Sequence, residues 1–176
     1  MNIFITILLL IAGIIALLLT IELFTRKKYN IQRKVTIHAP LQKVFDYLTQ
    51  LKNQDNFNKW VMADPEMKRD FKGMDGTVGF IYAWNGNKKA GEGEQEIKSI
   101  EAGKNIKTEV RFVRPFAGVA QVNMMTESIS NNQTKVSWSN ASEMKYPMNI
   151  MVSLIEKMLA KDIDESFVRL KVILEK

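Results

Sequence analysis

The sequence predicts an α+β domain in which a curved antiparallel sheet of about seven strands wraps a long C-terminal helix, with two short helices after the first strand. Three observations lead there. Between Met148 and Leu174 the apolar residues Val152, Ile155, Leu159, Ile163, Phe167, Leu170 and Leu174 recur at steps of three or four, which lines one face of a helix. Lys157, Lys161, Asp164, Glu165, Arg169 and Lys171 fill much of the remainder, so this helix is one-sided and needs a broad surface beneath it. From Thr77 to Glu143 the pattern becomes strand after strand, broken by turn residues at Asn85-Gly86-Asn87, Ala102-Gly103 and Asn131-Asn132. Finally, residues 31–37 alternate Ile, Arg, Val and Ile with Gln, Lys and Thr before Ala39-Pro40 stops them and opens a helix.

The elements follow in order. The first strand covers Asn30 to His38, and Leu41 to Leu51 forms a helix with an apolar stripe of Val44, Phe45, Leu48 and Leu51. A shorter helix follows over Lys52 to Phe57. Asp64-Pro65, Gly73 and Gly76 then punctuate short segments. Val78, Phe80, Tyr82 and Trp84 are expected to share one strand face, and strands over Gly91 to Ile100, Lys104 to Arg114, Ala117 to Ser130 and Gln133 to Glu143 complete the meander. Pro147 stands where the first turn of the long helix tolerates it.

Ahead of this domain, Ile3 to Ile21 carries no charge and is mostly Ile and Leu. A run of this length matches the roughly 20 residues that cross a bilayer, and a cleavable signal peptide would instead show a basic start, a shorter core and a small-residue cleavage site. The division expected is a transmembrane helix over 1–24, a basic juxtamembrane neck over 25–30 and the folded domain over 31–176. Glu22 marks the exit from the membrane, and Arg26, Lys27 and Lys28 lie at the headgroups. Their positive charge predicts a single-pass protein of the cell membrane with a cytoplasmic C-terminal domain.

Composition narrows the chemistry. Of 176 residues, 46% are hydrophobic and 25% charged, which is globular rather than disordered. There is no cysteine and one histidine. Disulfides, thiolate metal sites and a cysteine nucleophile are excluded, a zinc site would need carboxylates almost throughout, and a Ser-His-Asp triad would have to use His38. No cofactor and no metal are expected. The net charge of +6 is spread along the chain rather than gathered in a stripe, which argues against nucleic-acid binding.

The residues His38-Ala39-Pro40, Val44-Phe45-Asp46-Tyr47, Trp60, Gly76-Thr77-Val78-Gly79, Gly91-Glu92-Gly93-Glu94, Thr134-Lys135-Val136-Ser137-Trp138 and Leu170-Lys171 stand in an order that resembles the polyketide cyclase/dehydrase and START-like lipid-transfer superfamily, SRPBCC. The resemblance covers about 31–176. It implies the helix-grip fold and a cavity for an apolar ligand between sheet and helix. It does not imply catalysis, since the superfamily includes carriers, cyclases, receptors and chaperone-binding modules.

Phe80, Tyr82, Trp84, Phe112, Met124, Trp138, Met151, Ile155 and Met158 are expected between sheet and helix, as the wall of a cavity or as a filled core. Gly91-Glu92-Gly93-Glu94-Gln95-Glu96 lacks the third glycine and the helix of a dinucleotide fingerprint. On a strand its glutamates form a solvated outer face, with the glycines and Gln95 turned inward. Lys68, Arg69, Lys72, Lys88, Lys89, Arg111 and Arg114 read as a solvated face, and His38 as a surface or capping residue. The function expected is non-catalytic binding of an apolar or amphipathic small molecule: a lipid, an isoprenoid or a polyketide-like compound. The alternatives are a protein-interaction module and a cyclase or dehydratase with Tyr82, Glu94, Glu96 or Arg111 as its acid–base groups; the protein partner is not legible.

Overall fold

A computed structural model describes residues 2–23 and 26–176, except for the side chains of residues 18 and 21–23. The element order is α1 (Ile3–Leu23), β1 (Lys28–Ile37), α2 (Leu41–Thr49), α3 (Gln54–Phe57), β2 (Lys68–Lys72), β3 (Ile81–Asn85), β4 (Glu92–Glu101), β5 (Asn105–Arg114), β6 (Gly118–Ser130), β7 (Gln133–Glu143) and α4 (Val152–Leu174). Short 3-10 turns precede α3, follow it and lead into α4. The seven strands make one sheet in the order β1-β7-β6-β5-β4-β3-β2, and its pairings are antiparallel. The expected α+β arrangement of seven strands and a long C-terminal helix is the one observed.

One expectation is corrected. Among the described residues no helix is long and apolar enough to cross a membrane. The assignment to the cell membrane as a single-pass protein with a cytoplasmic domain is overturned by this finding. The side chain of Glu22, expected at the membrane exit, residue 24 at the end of the expected span and residue 25 at the start of the basic neck lie outside what is described. The rest of the neck is not a separate linker, because β1 already begins at Lys28. Arg26 pairs with Glu156 of α4 at 2.8 Å, and Lys28 lies 3.8 Å from Glu143 of β7.

The core forms where sheet and α4 face each other. Val152, Ile163, Phe167, Leu170 and Leu174 of α4 are buried, at the spacing the sequence shows. They pack with Ile31 and Ile37 of β1, Val44, Phe45 and Leu48 of α2, and Val136 and Trp138 of β7. Ser166 interrupts this apolar stripe without cost to the helix: its hydroxyl donates to the Asp162 carbonyl at 2.7 Å and accepts from the Lys59 amide at 3.0 Å, so the buried oxygen is satisfied. A smaller cluster of Leu51, Phe80, Tyr82 and Ile97 fills the β3–β4 end. Asp75 supports it by accepting the Leu51 and Lys52 amides at 2.8 and 3.1 Å, which closes the otherwise uncapped turn after α2.

β3 starts later than the alternation suggests. Gly76 and Gly79 take φ of 81° and 87°, a region that side chains disfavour, and the chain turns there. Val78 therefore stands exposed in a turn instead of sharing a strand face with Tyr82 and Trp84.

Candidate functional site

The concave face of the sheet and α4 do not close on each other everywhere. Between them lies a cavity of about 240 Å³. Period two places alternate residues of each strand on its wall: Tyr82 and Trp84 from β3, Gln95 from β4, Val110 and Phe112 from β5, Val122 from β6, Trp138 and Asn140 from β7 and Tyr29 from β1. Gln54 and Asn58, four residues apart, come from α3 and its end, with Trp60, Val61 and Met67 from the segment after it and Leu159 from α4. Lys89, Phe112, Arg114 and Pro115 are the exposed members of this set, so the cavity opens at the end where the β3–β4 loop meets the end of β5.

Two features of the chain keep the space open. Aromatic side chains brace its wall from behind and beside: Trp138 meets Phe57 and Phe167 of the core and Trp60 of the lining edge-on, with ring centroids 6.2, 5.9 and 5.8 Å apart, the geometry that aromatic quadrupoles favour. Trp84 meets Phe112 in the same way at 6.1 Å. The Trp60 and Trp84 indoles are then pinned at their nitrogens, donating to Asp162 at 3.0 Å and to the Ala90 carbonyl at 3.1 Å. Rings fixed at both edge and nitrogen cannot collapse into the gap.

The polar lining is a relay of carboxamides. The Asn58 amide nitrogen donates to Gln54 Oε1 at 2.7 Å, Gln54 Nε2 to Gln95 Oε1 at 3.1 Å, and Gln95 Nε2 to Thr108 Oγ1 at 2.8 Å. Tyr29 donates its hydroxyl to Asn140 Oδ1 at 3.3 Å, and burial raises the pKa of that hydroxyl above its ordinary value. Tyr82 shows its ring to the cavity, while its hydroxyl donates to Asp55 Oδ1 at 2.5 Å and accepts from Arg69 Nε at 3.0 Å. Burial first, and then the Asp55 carboxylate, push the Tyr82 hydroxyl well above the usual tyrosine range, so it stays protonated.

The structure brings Tyr82, Trp84, Phe112 and Trp138 together on the cavity wall. It puts Phe80 in the smaller cluster and Met124 in the main core, and leaves Ile155 partly buried against that core. Met151 and Met158 are exposed. Each stands one residue before an inward position of α4, about 100° around the helix from it. Met67 is the methionine on the wall.

The acidic strand differs from the solvated face expected. Glu92, Glu94 and Glu96 do point away from the cavity, but they are partly buried and paired. Arg111 reaches Glu94, Glu96 and Glu109 at 2.7, 2.8 and 2.6 Å, and Arg114 reaches Glu92 at 2.7 Å. The cause is register: Glu94 lies opposite Arg111 and Glu96 opposite Glu109. These pairs hold the Arg111 guanidinium charged and the Glu96 carboxyl below its ordinary range. His38 ties β1 to the end of α4, its amide donating to Glu175 Oε1 at 2.8 Å and its Nδ1 lying 3.0 Å from the same oxygen. Among the described residues no group of three or more His, Cys, Asp or Glu is placed to hold a metal ion.

Sequence reasoning did not single out Gln54, Asn58 and Asn140 as site residues. The four-residue step from Gln54 to Asn58 was the available signal, since it puts both on one side of a helical turn.

No protein-family model and no curated protein matches the sequence. Solved structures do match its fold. A protein from Chromobacterium violaceum superposes with a TM-score of 0.60 at 12% identity, over 84% of this chain and 97% of its own. Norcoclaurine synthase from Thalictrum flavum, in complex with dopamine and hydroxybenzaldehyde, superposes with a TM-score of 0.63 at 13% identity, over 88% of this chain and 90% of its own. DynU16, from the dynemicin biosynthetic locus, gives a TM-score of 0.55 at 13% identity, over 84% of this chain and 47% of its own. At such identities the likeness is one of fold alone: the chain has the helix-grip arrangement, an antiparallel sheet around a long C-terminal helix, with an open space between the two.

Proposed function

We propose that the domain binds a compact apolar or amphipathic small molecule in the cavity between sheet and α4, without turning it over. The observation that carries this reading is the cavity of about 240 Å³, walled by braced aromatic rings and lined on one side by the carboxamide relay. Its lining is mostly apolar with a few placed polar groups, Gln54, Asn58, Gln95 and Asn140, which is the make-up of sites that hold and orient a small molecule. The volume of about 240 Å³ lies just below the usual range of ligand pockets, which starts at about 300 Å³, and so favours a small ring compound of isoprenoid or polyketide type over a diacyl lipid. Norcoclaurine synthase, which shares the fold, was solved with two small molecules.

The acid–base alternative has less support. Glu94, Glu96 and Arg111 lie on the outer face, and the Tyr82 hydroxyl is engaged by Asp55 and Arg69, so none of the four offers a free proton-transfer group to the cavity. The test is native mass spectrometry of the full chain, purified from a host with its own lipids and secondary metabolites, against the denatured mass. A discrete extra mass that organic extraction removes is expected. A bare mass that persists after incubation with a total organic extract of that host would overturn the reading.

A further inference from the structure

The hydrogen atoms in the relay can be placed, and their placement gives the polar wall a sign. The backbone amide of Trp60 donates to Asn58 Oδ1 at 3.0 Å. A backbone N–H can only donate, so that atom of Asn58 is its oxygen. The Asn58 nitrogen must then donate to Gln54 Oε1, which makes Gln54 Nε2 the donor to Gln95 Oε1 and Gln95 Nε2 the donor to Thr108 Oγ1. One main-chain proton thus orients three side chains. Each of these amides spends its oxygen and one N–H inside the relay and retains a second N–H. Asn140, on the same wall, accepts from the Tyr29 hydroxyl.

We propose that this donor-lined wall selects ligands whose buried polar atom is a carbonyl oxygen, an acceptor that brings no proton of its own. The inference rests on the proposed binding function and names the ligand chemistry of the same cavity. A ketone oxygen accepts one or two of the spare N–H groups and brings no proton that needs an acceptor. A hydroxyl of the same shape brings a proton to a wall whose amide oxygens each already accept one hydrogen bond.

The experiment is isothermal titration calorimetry of the full chain with 2-acetylnaphthalene and with either enantiomer of 1-(2-naphthyl)ethanol, which are close in shape and hydrophobicity. The ketone should bind at least about fivefold more tightly, the ratio that corresponds to ~1 kcal/mol for one buried donor left unpaired. In Gln95→Met, which keeps the side-chain length and removes the amide, the ratio should fall towards one. Equal affinities in the wild type, or preference for the alcohol, overturn the carbonyl selection while leaving the cavity as a binding site. A ratio unchanged in Gln95→Met removes the relay as its cause. Binding of neither probe overturns this inference, while the native mass decides the binding function separately. The wild-type comparison decides the selection even where the variant fails to fold.

Discussion

Gly93 and Trp84 lie opposite each other on neighbouring strands, and the indole rests on the glycine. A Cβ built at Gly93 would come within 2.8 Å of Trp84 Cζ2 and 2.5 Å of the Arg111 carbonyl. The missing side chain is what lets the ring lie flat on the sheet and form the cavity wall near its mouth. Gly93→Ala should therefore displace Trp84 and destabilise the protein by about 1–3 kcal/mol, the usual cost of overpacking a fixed backbone. Urea unfolding followed by tryptophan fluorescence checks both, since the native emission should shift as well as the midpoint.

The size of the cavity gives a second expectation. Val122 lines it and is buried. Val122→Phe adds its ring to empty space rather than to a packed core, so stability should change by less than about 1.5 kcal/mol. The extra mass expected in native spectra should disappear. A variant that unfolds, or one that keeps the bound mass, would show that Val122 does not border the ligand's space.

Phe167 tests the opposite side of the ring cluster. It is 3% exposed and meets Trp138 edge-on at 5.9 Å. Phe167→Ala should cost about 3–5 kcal/mol, as large-to-small changes of a buried ring do, with loss of near-ultraviolet dichroism from Trp138. Thermal melting and dichroism together measure it.

Tyr82 sets a limit at alkaline pH. Its folded pKa is raised above the ordinary value of 10.0 by burial and then by Asp55. The neutral phenol is the form the fold prefers, so its contribution is fully present below pH 10 and declines as pH rises from there through the folded pKa. Asp55→Asn removes the carboxylate charge and should bring the tyrosine titration, followed by phenolate absorbance, back towards its ordinary range.

The Arg111 network has the opposite sign. Glu96 and Glu109 have folded pKa values below the ordinary 4.5, Glu96 through Arg111 first and Glu109 through Gln121 and then Arg111. The stability they add is present above pH 4.5 and is lost as pH falls through the folded values. Arg111→Gln leaves three carboxylates facing each other and should cost of order 1 kcal/mol at neutral pH, the upper end for partly exposed pairs. That cost should shrink below pH 4.5 as the carboxyls protonate. Melting temperatures of both proteins at pH 7 and pH 3.5 test the crossing trend.

The regular parts of the molecule were legible because they are periodic. The three-and-four spacing of α4 from Val152 to Leu174 predicted its buried face, and the alternation around Gln133 to Glu143 predicted β7 at its observed ends. Gln95 could be assigned to the inward side by parity with Gly91 and Gly93. Where glycine overrides alternation, as at Gly76 and Gly79, the reading failed and Val78 fell on the outside. The apolar stretch at the N-terminus illustrates a different limit. A composition suited to crossing a bilayer is not a crossing, and among the described residues no helix meets that requirement.

By itself, then, the sequence determined the α+β class, the antiparallel meander and the helix it grips, since each follows from the 2.0 and 3.6 periods of backbone geometry. The tertiary structure alone decided that the interior is open, that Met151 and Met158 point away from it, and that Asn58, Gln54 and Gln95 join in one directed relay. The reason is distance along the chain. A hydrogen bond between Gln54 and Gln95, or a cavity walled by residues from Tyr29 to Leu159, depends on how strands and helix converge in space, and no local pattern of side chains encodes that convergence.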